Sequence, residues 1–258
     1  MENLGRAWRR LLERRETAGL LVGVLTLAAA VLPPPLFAAA LTLFAYGLGW
    51  ELGRITGRSF LAPVSALTLF AALLSPFFGL LTALSAALAA GYASVRRKGY
   101  YGNETLLTFL LTLLTGVYAG LVPYALFEVK LEGSNLLLAL IFTVWAADTA
   151  AYYAGKNFGR RKLVPLLSPG KTWEGLLAGL LAGTLVGTLS SALLQTGLSS
   201  PPIWLFAAAA AAAGDLFESF LKRSFGKKDS SDLLGSHGGL LDRFDGLLFA
   251  ALAVASFV

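Results

Sequence analysis

The sequence has no cysteine, a single histidine and few charged residues. Without cysteine, disulfides, thiolate metal sites and cysteine nucleophiles are all excluded. Only 14% of the 258 residues are charged, whereas a soluble domain averages about 25%. Hydrophobic residues make up 56% of the chain and the mean hydropathy is +0.69. This balance predicts an integral membrane protein whose length is used up by its spans, with no separate soluble domain.

Positive charge is concentrated beside the apolar segments. The net charge is +6, but the basic residues fall in membrane-flanking loops, which favours contact with anionic lipid headgroups and not with nucleic acid. Residues 1–17 are too charged for a cleavable signal peptide and lack a small-residue cleavage site. They predict a basic interfacial segment on the cytoplasmic side.

Apolar segments separated by charged or proline-containing loops predict an all-α polytopic membrane protein with about nine transmembrane helices. By residue number, the predicted spans are 18–32, 36–52, 60–74, 77–95, 105–127, 135–154, 172–194, 203–220 and 244–258. The first and third reach only about 22 Å, short of the roughly 30 Å hydrocarbon core. We treat residues 1–258 as a single membrane domain, with N-terminal helices in 18–134 and the remaining helices and loops in 135–258.

The distribution of Lys and Arg gives this topology an orientation. With nine spans and a cytoplasmic N-terminus, only Lys130 of the 21 Lys and Arg residues falls outside the cytoplasmic side. Small loops are expected at Glu128–Lys130–Glu132 and at Ser75-Pro76, and a basic loop at residues 155–171.

Carboxylates stand where apolar helices are predicted. Asp215 ends the apolar run of the eighth span, Asp148 lies in the sixth, and Asp242 and Asp245 begin the ninth. A carboxylate in a membrane helix costs roughly 2.5–3.5 kcal/mol on insertion scales, so a functional or paired role is expected. For Asp245, a favourable interaction with the helix dipole is the alternative.

The polar stretch between the eighth and ninth spans must fold the chain back, which brings Asp215 towards Asp242. Two carboxylates that meet there repel each other unless they are protonated or bridged by a cation. We predict Mg²⁺ as that bridge, because it prefers oxygen ligands, and Asp148 as a third wall of the site. Glu218 and Lys222 lie on the same helical stripe as Asp215, and a salt bridge that only packs helices is the alternative there.

Basic residues, carboxylates and glycines alternate between positions 219 and 245. The basic residues are Lys222, Arg223, Lys227, Lys228 and Arg243. The alternation favours a substrate with several phosphates, although a lipid-headgroup patch also accounts for a basic cluster. Gly238 and Gly239 let backbone amides approach an anion. His237 is either an acid, base or phosphate donor, or a structural residue.

The stretch from Ser168 to Thr172 opens the seventh span and contains Lys171. It resembles a phosphate-binding loop at a helix N-terminus, although it lacks the first glycine of the standard nucleotide loop. The alternative is a plain helix start, with Thr172 as the cap and Glu174 in the first turn.

Taken together, these residues resemble the signature of the phosphatidate cytidylyltransferases, the CDP-diacylglycerol synthases. The matching residues are Ser219, Leu221, Lys222, Arg223, Lys228, Asp229, Ser231, Leu234, Gly235, His237, Gly238, Gly239, Leu240, Asp242, Arg243, Phe244 and Asp245. Further matches upstream are Asp148, Thr149, Ala151, Tyr152, Gly155, Ser168, Pro169, Lys171, Thr172, Trp173, Glu174 and Gly175. Gly170 departs from the pattern, which has Lys there, and so removes one phosphate contact.

The resemblance implies that CTP and phosphatidate react to give CDP-diacylglycerol and diphosphate. It also implies a multi-pass cell-membrane enzyme, usually a homodimer, with its site on the cytoplasmic side and dependent on Mg²⁺; a second cation is left open. Asp215 and Asp242 match the metal ligands. The residues given a catalytic role are Asp215, Asp242, Lys222, Arg223 and His237. Those given a substrate-binding role are Ser219, Lys228, Asp229, Gly238, Gly239, Arg243, Asp245, Asp148, Ser168, Lys171 and Thr172.

Two other functions are weighed against this one. A secondary transporter would use Asp148 and Asp215 as ion sites near the middle of the membrane, but the polar residues gather at one face. A cytidylyltransferase acting on another lipid phosphate, such as an isoprenoid ether lipid, is the closer alternative.

Overall fold

The computed structural model describes residues 15–235 and 238–258, and helices account for most of them. The elements are α1 (Arg15–Ala30), α2 (Pro34–Thr56), α3 (Leu61–Leu74), α4 (Pro76–Lys98), α5 (Asn103–Thr115), a π-helical segment (Gly116–Leu121), α6 (Tyr124–Glu132), α7 (Ser134–Phe158), β1 (Lys162–Val164), β2 (Ser168–Thr172), α8 (Trp173–Leu193), α9 (Pro201–Ser224) and α10 (Leu241–Ala255). Each of the nine predicted spans coincides with helix. His237 lies outside the described residues.

Six helical stretches in the described part of the chain are long and apolar enough to cross a membrane, by length and composition. They are Pro34–Thr56, Pro76–Lys98, Asn103–Glu132, Ser134–Phe158, Trp173–Leu193 and Pro201–Ser224. Gly19–Ala30 and Leu61–Leu74 are shorter apolar helices. The prediction of an all-α, multi-pass membrane protein is therefore confirmed. The count of nine spans and the side of the N-terminus stay predictions.

Local sequence explains where several helices begin and end. Pro34 stands in the first turn of α2, where its missing N–H costs nothing. Gly57 ends α2 in the left-handed conformation and donates its N–H to the Gly53 carbonyl. Ser75 lies between α3 and α4 and accepts a hydrogen bond from the Phe77 N–H at 3.3 Å, so the predicted Ser75-Pro76 turn is confirmed.

Two loop predictions are wrong. The expected loop at residues 128–132 is helical, because α6 continues to Glu132. Within α6, the Lys130 side chain is buried and donates to the Ala30 carbonyl oxygen at 2.7 Å and to the Ser134 hydroxyl. This ammonium caps the carboxyl end of α1, so its charge does not mark an exposed loop.

The predicted basic loop at 155–171 contains secondary structure instead. Helix α7 runs on to Phe158, and β1 and β2 then form an antiparallel hairpin, with Lys162 opposite Thr172 and Val164 opposite Ser168. Pro165 follows β1 directly, and the Leu167 N–H donates to the Val164 carbonyl at 3.1 Å, which closes the turn. Hydropathy carries no signal for such a short hairpin.

The described chain separates into two compact units. The first joins the described residues up to Leu32 to Glu128–Val258, and the second comprises Pro33–Phe127. In the second unit, Leu48, Leu61 and Leu69 are fully buried, and the Ser65 hydroxyl donates to the Ala45 carbonyl oxygen at 2.7 Å. Every predicted site residue that the structure describes lies in the first unit.

In the first unit, α8 packs closely along α7. The buried face of α8 consists of Gly175, Gly179, Gly183, Gly187 and Ser191. Small residues at such a contact let two membrane helices approach until their backbones touch. A cavity opens at the start of α8, beside the hairpin.

Candidate active site

A cavity of about 670 Å³ opens between α7, the hairpin, α8 and α9. Its floor is apolar and is made by small residues, including Ala147, Gly179 and Ala208. Its polar lining consists of Asp148, Tyr152, Lys156, Lys162, Ser168, Lys171, Thr172 and Asp215. Of the predicted site residues, Asp148, Ser168, Lys171, Thr172 and Asp215 are thus brought together from three different elements, α7, β2 and α9.

An ion pair crosses this cavity. The Lys171 ammonium, on β2, lies 2.5 Å from the Asp215 carboxylate, on α9. Both side chains keep access to solvent, with exposed fractions of 25% and 41%. An ion pair this open exchanges readily with solutes, so it offers both a cation and an anion to whatever enters the cavity.

Asp215 belongs to a larger group of charges. Asp148 and Asp245 both interact electrostatically with Asp215, and Lys171 acts on both of them. Arg243 adds positive charge near Asp148. Three carboxylates thus converge near one ammonium and one guanidinium, an arrangement whose repulsion a bound cation would relieve.

The crossing of α9 and α10 brings Asp215 and Asp245 together. Gly214 precedes Asp215, and a methyl group added at Gly214 would lie 2.5 Å from the Asp245 carbonyl oxygen. Only glycine permits this contact of the two backbones. The glycine before the carboxylate therefore explains how carboxylates 30 positions apart share one site.

We expect Gly214→Ala to lower both the melting temperature and the activity. The added methyl has to push α9 and α10 apart, and overpacking of this kind costs about 1–3 kcal/mol. Gly23→Ala in α1 is the matched control, because its methyl would meet the Trp145 ring at an ordinary 3.6 Å. Melting temperatures in detergent check the prediction, and equal values for the two variants would contradict the tight crossing.

A second charged network is buried at the end of α9. The Lys222 ammonium lies 2.5 Å from the Glu218 carboxylate and also donates to Oδ1 of Asp242. Glu218 and Lys222 are only 2% and 8% exposed. The salt bridge considered from the sequence is therefore present, but it includes Asp242 as well. Asp245 interacts electrostatically with Glu218, which links this network to the carboxylates around Asp215.

The carboxylate of Asp242 is held by the polar loop before α10. Its Oδ2 accepts hydrogen bonds from the Ser230 N–H at 2.9 Å, the Ser230 hydroxyl at 2.7 Å and the Gly239 N–H at 2.7 Å. In this structure, the anion that the Gly239 amide binds is thus Asp242. The loop is folded around the carboxylate, and this fixes the first turn of α10.

Gly238 makes this loop geometry possible. Its φ is +78°, and a methyl group added there would lie 2.6 Å from Oδ2 of Asp242. We expect Gly238→Ala to reduce activity more than Gly226→Ala does. Gly226 has a similar φ of +65° but open space around it. Alanine at either position therefore adds the same backbone strain of roughly 1–2 kcal/mol, and only Gly238→Ala adds the contact with Asp242. Steady-state rates check this, and equal losses would contradict the close contact with Asp242.

The start of α8 is built as a capped helix. The Thr172 hydroxyl accepts from the Gly175 N–H at 3.1 Å, so the helix-cap interpretation of Thr172 is confirmed. The Glu174 carboxylate accepts from the Arg161 N–H at 3.3 Å, which ties the hairpin to α8. Lys171 is then held one residue before the cap, with its side chain in the cavity.

The remaining predicted residues are distributed around these networks. Ser219 is buried in α9, whereas Arg223, Lys228 and Asp229 are exposed, and the Arg223 guanidinium donates to the Lys227 carbonyl oxygen at 2.8 Å. The sequence analysis missed Ser230, and it left Glu218 open between a functional role and a packing salt bridge. The position of Ser230 within the polar loop was the available signal, but its contact with Asp242 is a tertiary one.

The residues present suit a hard cation that shares its coordination with phosphates. Carboxylate oxygens are the ligands that Mg²⁺ takes, and it is usually held by one or two carboxylates plus substrate oxygens. Within residues 15–235 and 238–258, no cluster of three or more His, Asp or Glu side chains has the geometry to hold a metal ion unaided. If such a cation binds here, Asp148, Asp215 and Asp245 would supply the carboxylate oxygens.

Comparisons with known proteins identify the family of this chain. A model of the cytidylyltransferase family matches residues 13–258. A phosphatidate cytidylyltransferase of Aquifex aeolicus is 36% identical over 243 residues, which cover 92% of this chain and 87% of that protein. The phosphatidate cytidylyltransferase of Pseudomonas aeruginosa is 42% identical over 61% of this chain and 61% of its own length. That of Haemophilus influenzae is 42% identical over 46% of this chain and 44% of its own length. The chain belongs to the cytidylyltransferase family.

Proposed function

We propose that the protein is a phosphatidate cytidylyltransferase, which converts CTP and phosphatidate to CDP-diacylglycerol and diphosphate. The observation that carries the proposal is the Lys171–Asp215 ion pair, which lies in a cavity walled by membrane helices. A water-soluble nucleotide and a lipid phosphate both need such a site, because it combines apolar walls with charged groups. The names of the relatives support the same substrates.

In the proposed reaction, a phosphate oxygen of phosphatidate forms a bond to the α-phosphorus of CTP. The bond from that phosphorus to the oxygen bridging to the β-phosphorus breaks, and diphosphate leaves. Phosphatidate is already an anion, so the step needs no strong general base. What the protein has to supply is positioning and neutralisation of charge.

The residues of this chain divide that work. Lys171 holds phosphate oxygens at the cavity. Arg223 at the end of α9, Lys228 in the polar loop and Arg243 in α10 approach the triphosphate. Lys222 is locked by Glu218 and Asp242, and it positions Asp242 at the start of α10.

We propose Mg²⁺ as the cofactor, with Asp215 as a ligand. The pairing of Asp215 with Asp242 stays a prediction, and the interaction of Asp215 with Asp245 makes Asp245 a further candidate. When bound, Mg²⁺ would neutralise phosphate charge and orient the triphosphate. A second cation, a homodimer and a site on the cytoplasmic side of the cell membrane remain parts of the proposal.

The test is an assay of the purified protein with CTP labelled at either the α- or the γ-phosphate. The proposal predicts that the α-label appears in a lipid product and that the γ-label is released as diphosphate, in both cases only with Mg²⁺ present. The panel of acceptors contains phosphatidate, lysophosphatidate and an isoprenoid ether lipid phosphate. Labelling of the ether lipid in preference to phosphatidate would overturn the assignment of the substrate, and no labelled lipid at all would overturn the function.

A further inference from the structure

The hairpin tip, residues 165–167, presents an apolar side chain where none is needed for packing. Leu166 is fully exposed, at 101% of its reference area. The tip is not a loose loop, because the strands pair on both sides of it and the Leu167 N–H bonds to the Val164 carbonyl. A single exposed leucine is ordinary by itself, so the residues beside it decide whether the tip meets a partner.

Aromatic residues mark the level at which this tip lies. Tyr152 and Tyr153 are exposed in α7, and they are followed by exposed Phe158 at its last turn and exposed Trp173 at the first residue of α8. Exposed Tyr and Trp side chains gather where membrane helices pass from hydrocarbon to headgroups. The hairpin leaves the helices between Phe158 and Trp173, and these aromatic residues favour a position at this boundary for its base.

The charge beside the tip is positive. Arg160, Arg161 and Lys162 are consecutive and exposed, and they lead directly into β1. Near an anionic membrane surface each Lys or Arg adds to the attraction. An apolar tip alone would suit another protein equally well, but three adjacent cations with an aromatic belt favour a layer of anionic lipid headgroups.

The same hairpin forms a wall of the candidate site. Lys162 on β1 and Ser168 and Lys171 on β2 line the cavity. The hairpin is tied to α8, because the Glu174 carboxylate accepts a hydrogen bond from the Arg161 N–H. The depth of the tip in a membrane therefore also sets the position of this cavity wall.

We propose that the hairpin tip inserts Leu166 into the headgroup layer of an anionic bilayer, with Arg160, Arg161 and Lys162 on the lipid phosphates. Docking in this way holds the mouth of the cavity at the depth of those phosphates. An anionic lipid then passes from the bilayer to Lys171 without leaving the interface. The role in lipid capture rests on the proposed function, whereas the insertion itself does not.

The absence of cysteine makes a direct measurement possible. Leu166→Cys carries one nitroxide label in the reconstituted full chain, and Lys227→Cys, in the exposed polar loop, is the matched control. Collisions of the label with oxygen and with a water-soluble nickel chelate report its depth, in vesicles of phosphatidylcholine with or without phosphatidylglycerol. We expect the label at 166 to be oxygen-accessible and shielded from nickel, more so with phosphatidylglycerol, and the label at 227 to be nickel-accessible.

Three results would overturn the proposal. The first is equal nickel access at both labelled positions. The second is an unchanged depth at 166 when Arg160 and Arg161 are both replaced by Gln in the phosphatidylglycerol vesicles. The third is dipolar broadening at 166 that is independent of lipid charge, which would show that a second copy of the chain covers the tip.

A kinetic comparison tests the role in lipid capture. Leu166→Asn is expected to raise the apparent KM for phosphatidate in bilayers, with kcat and the rate on monomeric short-chain phosphatidate unchanged. Equal losses on both forms of the lipid would overturn that role. If the wild-type protein converts neither form, the proposed function fails, while the depth of the label still decides whether the tip inserts.

Discussion

Asp215→Asn is expected to abolish cytidylyl transfer while leaving the protein folded. The substitution keeps the size of the side chain but removes the charge that pairs with Lys171 and faces Asp148 and Asp245. Loss of one preorganised electrostatic group in an active site typically lowers kcat by about 10²–10³-fold. Loss of a cation ligand adds to that effect, so we expect a rate at the lower limit of the assay.

The fold should tolerate this change well. Asp215 is partly exposed, and removing its charge lowers the repulsion among the neighbouring carboxylates, so the melting temperature in detergent should stay the same or rise. Glu132→Gln, at an exposed carboxylate in α6, is the control for removing one negative charge from the chain. A rate for Asp215→Asn within a few-fold of the control would contradict the assignment of Asp215 to the site.

Lys222→Met is expected to have the largest effect on stability. Met fills much of the same space, but it leaves the buried Glu218 carboxylate beside Asp242 without the ammonium that both contact. Removing one partner from a buried ion pair typically costs about 3–5 kcal/mol in the free energy of unfolding. Lys227→Met, at an exposed position in the same polar loop, should be close to neutral.

A double variant separates folding from function at this network. Glu218→Gln added to Lys222→Met removes the uncompensated buried charge, so we expect much of the lost thermal stability to return. Activity should stay low, because Asp242 still lacks the ammonium that fixes its Oδ1. Equal melting temperatures for the single and double variants would show that Glu218 carries no destabilising charge in the absence of Lys222.

The helical framework was predictable because hydropathy reports burial in lipid residue by residue. Each predicted span holds a helix, and Asp148, Asp215, Asp242 and Asp245 stood out as carboxylates in apolar surroundings. The same signal fails wherever charge is buried by a specific partner. Lys130 was placed in a loop because the sequence does not show that its ammonium caps α1 at the Ala30 carbonyl.

Tertiary pairing accounts for what the sequence could not provide in the site. Lys171 and Asp215 are 44 positions apart, and their contact depends on a hairpin with no hydropathy signal. The cradle that Ser230 and Gly239 form around Asp242 depends on backbone geometry in a polar loop. Spacing along one helix did identify Glu218 and Lys222 as neighbours, because residues four apart share a face.

Protection of a single cysteine by CTP tests whether the nucleotide binds in the cavity between α7, the hairpin, α8 and α9. Gly170→Cys places a thiol in the cavity lining, where an added side chain meets open space. Lys98→Cys, at an exposed position at the end of α4 that does not line the cavity, is the control in the same cysteine-free chain. With Mg²⁺ present, CTP should slow modification of position 170 by a charged thiol reagent and leave the rate at position 98 unchanged. Equal rates of modification at position 170 with and without saturating CTP would show that the nucleotide does not bind in this cavity.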